Sequence, residues 1–407
     1  MVSTTIERRE DTTGYTTYER KNYIRELPLL ELPQAIGLLS PEEQALFNRV
    51  FEIEVSNGQD GNGSRMDFPA EMQSWIVDRF KRDGETPEET LEAMCNQRVL
   101  VVRNRFTKEG GIYNLNRLNR PRDLVRPDTY REDIERSREN CSFCDPTKNT
   151  PETVAIGRLK DKYNQSFANL TKFAKYHEII AGPHNPFDKT RDVFRSQIAI
   201  AQEIARRVHG FDSAAQFMMI GENQGPDAGA SKYHQHKQVM ISAGTMHFPD
   251  AERWHEASIR YRFETGSDFT GDWFAAHEMI GLARSLEDSE GEVLVVASLT
   301  PKKDCGVTVI GPRFKDPLHL GQRFIDTCWE VEEFMMTEQG VEQFNTALYL
   351  PPLSRTDAYW KDFRPMSVFT RRTKSDMGIM EGAGTAVLSV DPKSFAGDLF
   401  SHLQKAA

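Results

Sequence analysis

The chain has 407 residues and a formal net charge of −10, with 38% hydrophobic and 28% charged residues. At roughly 100–200 residues per domain this length predicts two or three folding units, and the apolar content excludes a disordered or low-complexity protein. An acidic chain is a poor general nucleic-acid binder, because phosphate backbones select basic surfaces. No run approaches the roughly 18 uncharged apolar residues of a membrane span, and the opening Met1-Val-Ser-Thr-Thr-Ile-Glu-Arg-Arg-Glu10 has no apolar signal core. Five cysteines do not make a disulfide framework, and an odd count fits a reducing compartment. The expectation is a soluble cytoplasmic protein with neither nucleic-acid nor membrane partners.

Residues 1–97 read as a polar, mostly helical N-terminal extension. Ser40-Pro41-Glu42-Glu43 carries an N-cap serine, a proline at the first helical position and acid in the first turn. Leu46, Phe47, Val50 and Phe51 follow at helical spacing. Thr86-Pro87-Glu88-Glu89 opens another helix by the same logic, and the glycine-rich stretch 57–64 reads as a loop. The segment holds no catalytic constellation; it reads as a structural extension, with shaping of a substrate entrance as the alternative.

From residue 98 the pattern changes. Strand-like runs at Val99–Val102, Thr153–Ile156 and Glu178–Ala181 precede a helical stretch from Thr190 to Val208 with Phe194, Ile198, Ala201 and Ile204 in period. Phe217–Ile220 and Val239–Ser242 are short strands on either side of a glycine-containing loop. Strands at Glu292–Ala297 and Val307–Ile310, a helix from Pro317 to Gln339, and strands at Thr346–Leu350 and Ser367–Phe369 repeat the same grammar. Strand pair, long helix, strand pair in both halves predicts an α+β fold with mainly antiparallel sheets and a duplicated unit, divided as 98–245 and 246–407.

Three groups of residues could do chemistry. Cys141-Ser-Phe-Cys144 is a C-x-x-C knuckle that can turn two thiolates onto one metal or act as a redox pair. His184 and His234 are candidate third and fourth ligands, at separations that would staple distant strands; a lone histidine such as His209 or His255 is ordinarily a surface or hydrogen-bonded residue. In His234-Gln-His236-Lys-Gln238 alternate residues share one strand face. Two imidazoles and an amide there need partners if buried and water if not. Finally, Arg98, Arg103, Arg105, Lys108, Arg117, Arg120, Arg122 and Arg126 face only Glu109 and Asp123 in sequence, a local positive excess suited to a small anion or simply a solvated basic loop.

Together these residues resemble the galactose-1-phosphate uridylyltransferase branch of the histidine-triad superfamily, whose members include sugar-nucleotide and dinucleoside-polyphosphate phosphorylases. Arg117-Leu-Asn-Arg120-Pro121 is similar to the phosphate-gripping R-x-x-R-P loop. Cys141 and Cys144 match the zinc C-x-x-C, and Phe167-Ala-Asn169 the nucleoside-lining F-x-N. Gly182-Pro183-His184 resembles the segment that supplies the third zinc ligand. Glu222-Asn223, with Gly225 and Ser231, resembles the E-N-x-G…S phosphate loop. His234-Gln-His236-Lys-Gln238 stands for H-x-H-x-Q, and Arg371-Arg372-Thr373…Met377-Gly378…Glu381-Gly382-Ala-Gly384 is similar to the distal P-R…G-F-E…G-T-G segment. Three positions depart from the pattern: Gln235 replaces the proline between the histidines, Leu170 the acidic residue after F-x-N, and Arg364-Pro-Met-Ser367 the paired histidines of the second half.

The resemblance implies two tandem histidine-triad-like half-domains and one structural zinc per chain held by Cys141, Cys144, His184 and His234. It further implies His236 as nucleophile, Gln238 as a donor to the phosphoryl oxygens, and substrate contacts from Arg117, Arg120, Phe167, Asn169, Glu222, Asn223, Ser231 and Arg372. The activity implied is transfer of a nucleoside monophosphate from a nucleotide or sugar-nucleotide to a phosphate-bearing acceptor, through a nucleotidyl-histidine and with ping-pong kinetics. Phosphorolysis of dinucleoside polyphosphates, adenylyl sulfate or nucleotide sugars is the alternative, and a zinc-stabilised nucleotide-binding module the non-enzymatic one. A homodimer is the family expectation.

Overall fold

The two helix starts read from sequence form as expected. Ser40 Oγ accepts from the Glu43 N–H at 3.2 Å while the Glu43 carboxylate accepts from the Ser40 N–H at 2.9 Å, opening Pro41–Val50. Thr86 and Glu89 close the same reciprocal pair at 3.2 and 2.7 Å ahead of Pro87–Cys95. A computed structural model describes residues 17–56, 65–119, 129–243, 248–354, 358–372 and 379–405. The first helix ends earlier than its periodicity suggests. Phe51 turns into a strand, β1 (Phe51–Ser56), whose alternating Phe-Glu-Ile-Glu-Val suits a half-buried edge.

β1 pairs antiparallel with β2 (Val99–Asn104), β2 with β3 (Gly110–Tyr113), and β3 runs parallel to a strand from the far end of the chain, Thr385–Leu388. The leading region is therefore helical with one strand inside it, and that strand belongs to a sheet shared with the C-terminus. Residues 57–64 lie outside the described residues.

The second sheet carries the remaining strands: β4 (Gln165–Ala168), β5 (Tyr176–Ala181), β6 (Ala215–Gln224), β7 (His236–Ala243), β8 (Ala283–Asp288), β9 (Gly291–Ala297), β10 (Val307–Ile310), β11 (Phe344–Tyr349) and β12 (Met366–Arg371); the Thr385–Leu388 strand is β13. Their spatial order is β4-β5-β7-β6-β11-β12-β10-β9-β8, and every pairing is antiparallel. The order β4-β5-β7-β6 is repeated by β9-β10-β12-β11, with a long helix after the second strand of each set. The fold is α+β and internally duplicated, and the third strand of each unit, β6 and β11, joins the halves edge to edge.

The helices Arg191–Phe211 and Gln322–Thr337 cover one face of this sheet. Thr190 caps the first through the Val193 N–H, and Phe194, Ile198, Ala201, Ile204, Ala205 and Val208 are buried beneath it. Each buried aliphatic or aromatic side chain of this kind contributes about 1.5–3 kcal/mol relative to exposure. The second helix starts at Gln322 rather than Pro317, because Gly321 takes a left-handed φ of 77°. Thr153–Ile156 is a turn closing into Gly157 (φ 72°), not a strand. Helices Pro249–Thr265 and Phe269–Met279, unread in the sequence, pack through Trp254 and Trp273 at 4.9 Å between rings. Cys95, Cys305 and Cys328 are buried. No helix among the described residues is long and apolar enough to cross a membrane.

Candidate active site and metal centre

The helix Tyr130–Ser137 tightens into a 3-10 turn, Arg138–Asn140, and the Cys144 N–H donates to the Cys141 carbonyl at 3.1 Å, folding the two thiols onto one side of a tight turn. Across from them, the Gly182 N–H donates to the Gln235 carbonyl at 3.0 Å and the Gln235 N–H to the Pro183 carbonyl at 3.2 Å. This clamp sets His184 beside His234, rings 5.2 Å apart. Glycine suits position 182, because a Cβ there would lie 2.3 Å from Gln235 Oε1 and would force that side chain to shift.

The ligand atoms of Cys141, Cys144, His184 and His234 all lie within 4.8 Å of one another. Each imidazole turns Nε2 to a main-chain oxygen, His184 to Ile134 at 2.8 Å and His234 to Gly182 at 2.9 Å, which leaves Nδ1 facing the thiols. His184 Nδ1 is 3.3 Å from Cys144 Sγ, and His234 Nδ1 is 3.4 Å from Cys141 Sγ. Burial and the neighbouring Cys141 push the Cys144 thiol up to about 11, and burial lowers His234 to about 4. A cation bound here would draw the proton from each thiol it ligates. Two thiols and two ring nitrogens with their second nitrogens already engaged can hold one metal ion, and the donor set suits zinc.

His236 follows two residues after His234 on the same face and is itself buried. Its Nδ1 lies 2.8 Å from the His234 carbonyl oxygen, an acceptor that fixes the proton on Nδ1 and leaves the lone pair on Nε2. Burial holds the ring below the ordinary histidine range, and so neutral near pH 7. Phe143, inside the C-x-x-C, stands edge-on to the ring at 5.3 Å and packs on Phe167 at 4.8 Å. Gln238 comes next on this face, its Oε1 2.9 Å from His177 Nε2.

No family model and no curated protein matches the sequence. Solved structures do match. An ADP-glucose phosphorylase from Arabidopsis thaliana, with ADP-glucose bound, superposes with a TM-score of 0.55 over 73% of this chain and 97% of that one, at 17% identity. A galactose-1-phosphate-uridylyltransferase-like protein from the same plant gives 0.50 at 15% identity, covering 64% and 91% of the two chains. A uridylyltransferase gives 0.50 at 16%, covering 75% and 98%. The fold is shared with these phosphorylase and uridylyltransferase structures.

Within this uridylyltransferase-like fold the other sequence-named residues are distributed unevenly. Phe167 on β4 shares the His236 face, and Asn169 just beyond it reaches His177 at 3.1 Å. Leu170 is 82% exposed. Asn223 pairs in register with Asn345 on β11, which donates to its Oδ1 at 2.7 Å; the Arg372 guanidinium in turn bonds Asn345 Oδ1. That chain of two amides and one arginine lies on the His236 face, one, two and three strands away from β7. Ser231 is exposed on the loop between β6 and β7, where Gly225 and Gly229 take left-handed φ angles of 85° and 83°. Arg117 is on the turn Leu115–Asn119 beside the other sheet, and Arg120 lies outside the described residues. So do Pro121, Thr373, Met377 and Gly378.

Glu222 departs from its expected place. Strand alternation turns it to the opposite face from Asn223, under the long helices, with Gln235 and Lys237. Its carboxylate receives Lys189 at 2.9 and 3.1 Å, Lys237 at 2.6 Å and Gln235 at 3.0 Å; Glu332 completes a quartet by taking Lys189 at 2.6 Å and Lys237 at 3.1 Å. All four side chains are at most 3% exposed. Burial alone would raise the Glu222 carboxyl, but Lys189 and Lys237 outweigh it and hold it at about 2. Glu222 thus braces β7 from behind and presents no free oxygen to a ligand on the His236 face.

The second half shows what the same positions do without ligands. Gly311 donates to the Pro365 carbonyl at 2.9 Å as Gly182 does to Gln235, and Arg364 Nε donates to the Gly311 oxygen at 2.7 Å as His234 does to Gly182. Arg313 follows Gly311-Pro312 as His184 follows Gly182-Pro183, and it pairs with Asp362 at 2.7 Å. Guanidinium groups stand where the first half has imidazoles. Met366 and Val368 take the places of His236 and Gln238, in a crevice also lined by Trp254 and Trp273.

Proposed function

We propose that this chain moves a nucleoside monophosphate between two phosphate-bearing substrates through a covalent nucleotidyl-His236. The observation that carries the proposal is the His236 ring itself: neutral, buried, held by Nδ1 to a carbonyl, and presenting Nε2 on a face shared with the Gln238 amide. The Nε2 lone pair would form an N–P bond to the innermost phosphorus as the P–O bond to the leaving phosphate breaks, its electron pair departing on that oxygen. The Nδ1–H, bonded to the His234 carbonyl, offsets the positive charge that develops on the ring. An oxygen of the acceptor phosphate then displaces the imidazole and returns it unchanged.

Gln238 would donate to a non-bridging oxygen as charge accumulates there. Arg372, with the amides of Asn223 and Asn345, would neutralise the distal phosphate, and Phe167 and Asn169 would line the nucleoside site. Zinc held by Cys141, Cys144, His184 and His234 would supply structure, since four protein ligands leave no open position. Likeness to an ADP-glucose phosphorylase supports a sugar nucleotide as donor with inorganic phosphate or a sugar phosphate as acceptor.

The test is incubation with ADP-, UDP- and GDP-glucose and diadenosine tetraphosphate labelled in the innermost phosphate. A stable adduct, labile to acid but not alkali, is expected in the native chain and absent in His236→Asn. Labelling that persists without His236 overturns the mechanism.

A further inference from the structure

His177 has no role in the chemistry above, yet it is fully buried on β5 against Gln238. Its Nε2 lies 2.9 Å from Gln238 Oε1 and 3.1 Å from Asn169 Nδ2. Its Nδ1 faces the Phe173 N–H at 3.5 Å, and the Phe173 ring stands edge-on at 4.2 Å. The Asn169 oxygen accepts the Thr171 N–H at 2.8 Å, which fixes the NH2 of that amide toward His177.

A neutral imidazole has one N–H and one lone pair. Burial disfavours the charged ring, so one nitrogen must donate and the other accept. With a main-chain N–H aimed at Nδ1, the proton belongs on Nε2, where the acceptor within reach is Gln238 Oε1. That bond pins the oxygen end of the Gln238 amide and turns its NH2 away from His177. Rotated end for end, the same amide would offer an oxygen lone pair to an anionic phosphoryl group, reversing a favourable contact. The Asn169 NH2 competes for the same ring nitrogen, because Nε2 cannot receive a proton from Asn169 while giving one to Gln238.

We propose that His177 is a positioning residue that holds the Gln238 amide with its NH2 toward the phosphoryl group beside His236, and that a nucleotide drawing the Asn169 amide to itself strengthens this hold. The proposal rests on the nucleotidyl-transfer reading and links the nucleoside end of the site to the reacting phosphorus.

Two measurements on the full-length protein test it. Ring 15N–1H correlations in histidine-labelled protein, with His177 assigned by its loss in His177→Phe, should show the Nε2–H tautomer, its population rising on addition of AMP. An Nδ1–H tautomer overturns the proposal whatever the chemistry. Single-turnover nucleotidylation of His236 by ADP-glucose and UDP-glucose should slow about 10²-fold in His177→Phe, the scale of losing one preorganised donor, with no loss of AMP affinity, because the Asn169 amide is then free for the nucleotide. His177→Asn, whose amide can still donate to Gln238, should recover part of the rate. Losses equal in both variants and tracking their melting temperatures would make His177 merely structural and overturn the assignment. If the native chain labels with neither nucleotide, the transfer reading fails, and the tautomer still decides whether His177 holds Gln238. Should His177→Phe not fold, His177→Asn and the spectrum of the native chain decide it.

Discussion

His236 Nδ1 lies 2.8 Å from the main-chain oxygen of His234, the residue whose own Nδ1 sits 3.4 Å from Cys141 Sγ and 3.6 Å from Cys144 Sγ. One residue therefore orients the His236 ring through its backbone and ties the strand to the cysteine turn through its side chain. Under the proposed mechanism, damage to the Cys2His2 cluster should reach the reaction through geometry alone.

Cys144→Ser is expected to reduce bound zinc from about one per chain, the number one tetrahedral site holds, and to lower the melting temperature. The single-turnover rate should fall by about 10- to 100-fold, the usual scale for disturbing the support of a metal site. Elemental analysis beside a melting curve and a labelling time course checks this. Zinc loss with an unchanged rate would uncouple the cluster from His236.

Lys237→Met should cost about 3–5 kcal/mol in urea unfolding, because it leaves Glu222 and Glu332 sharing the single ammonium of Lys189 in a buried space. Replacing Lys237 and Glu332 together by methionines should cost less than the sum of the single changes, since the orphaned carboxylate is then gone.

The same quartet sets an acid limit. Glu222 is held at about 2 in the folded chain, whereas an unfolded glutamate titrates near 4.3. A depressed folded value contributes stability above the ordinary range that is lost as pH falls. Thermal stability should therefore drop between about pH 5 and pH 2, and Glu222→Gln should flatten that part of the curve while lowering stability at neutral pH. An unchanged slope in the variant would assign the acid sensitivity elsewhere.

Gly182→Ala is expected to destabilise the chain by about 1–3 kcal/mol, the range for overpacking a filled interior. Its new methyl would meet Gln235 Oε1 at 2.3 Å, Gln197 Nε2 at 3.0 Å and Asn164 Oδ1 at 3.1 Å. Gln235 cannot step aside freely, because its amide also serves Glu222 and Gln197. Equilibrium unfolding and zinc content should fall together, since residue 182 joins the His184 and His234 segments.

The cysteine turn and the H-x-H-x-Q strand were legible in the sequence because each is a local pattern whose geometry follows from spacing. Side-chain facing across the sheet was harder to read. Glu222 and Asn223 form one short motif, yet alternation sends them to opposite faces, and only the pairing of β6 with β7 shows which face holds His236. Lys237 carried a signal that went unused: a lysine inside an apolar strand demands a buried acid. Its acids are Glu222 and Glu332; Glu332, and Lys189 which shares both carboxylates, are too distant in sequence to be named beforehand. His177 escapes the sequence reading because a strand read from Glu178 starts two residues late, β5 beginning at Tyr176. Thr153–Ile156 looks apolar enough for a strand, but Ile156 and Gly157 both hydrogen-bond back to Thr153 and close a turn. The duplication was visible as element order; its residue correspondence, Gly182-Pro183 with Gly311-Pro312, emerged from equivalent backbone hydrogen bonds.

β13 lies alongside β3, so the small sheet begun by Phe51 is finished by Leu388. A polypeptide leaving the ribosome cannot complete that sheet until residue 388 has been synthesised. Its leading strands must wait with one edge unsatisfied while the β4–β7 unit, whose strands are all in hand by residue 243, is free to assemble first.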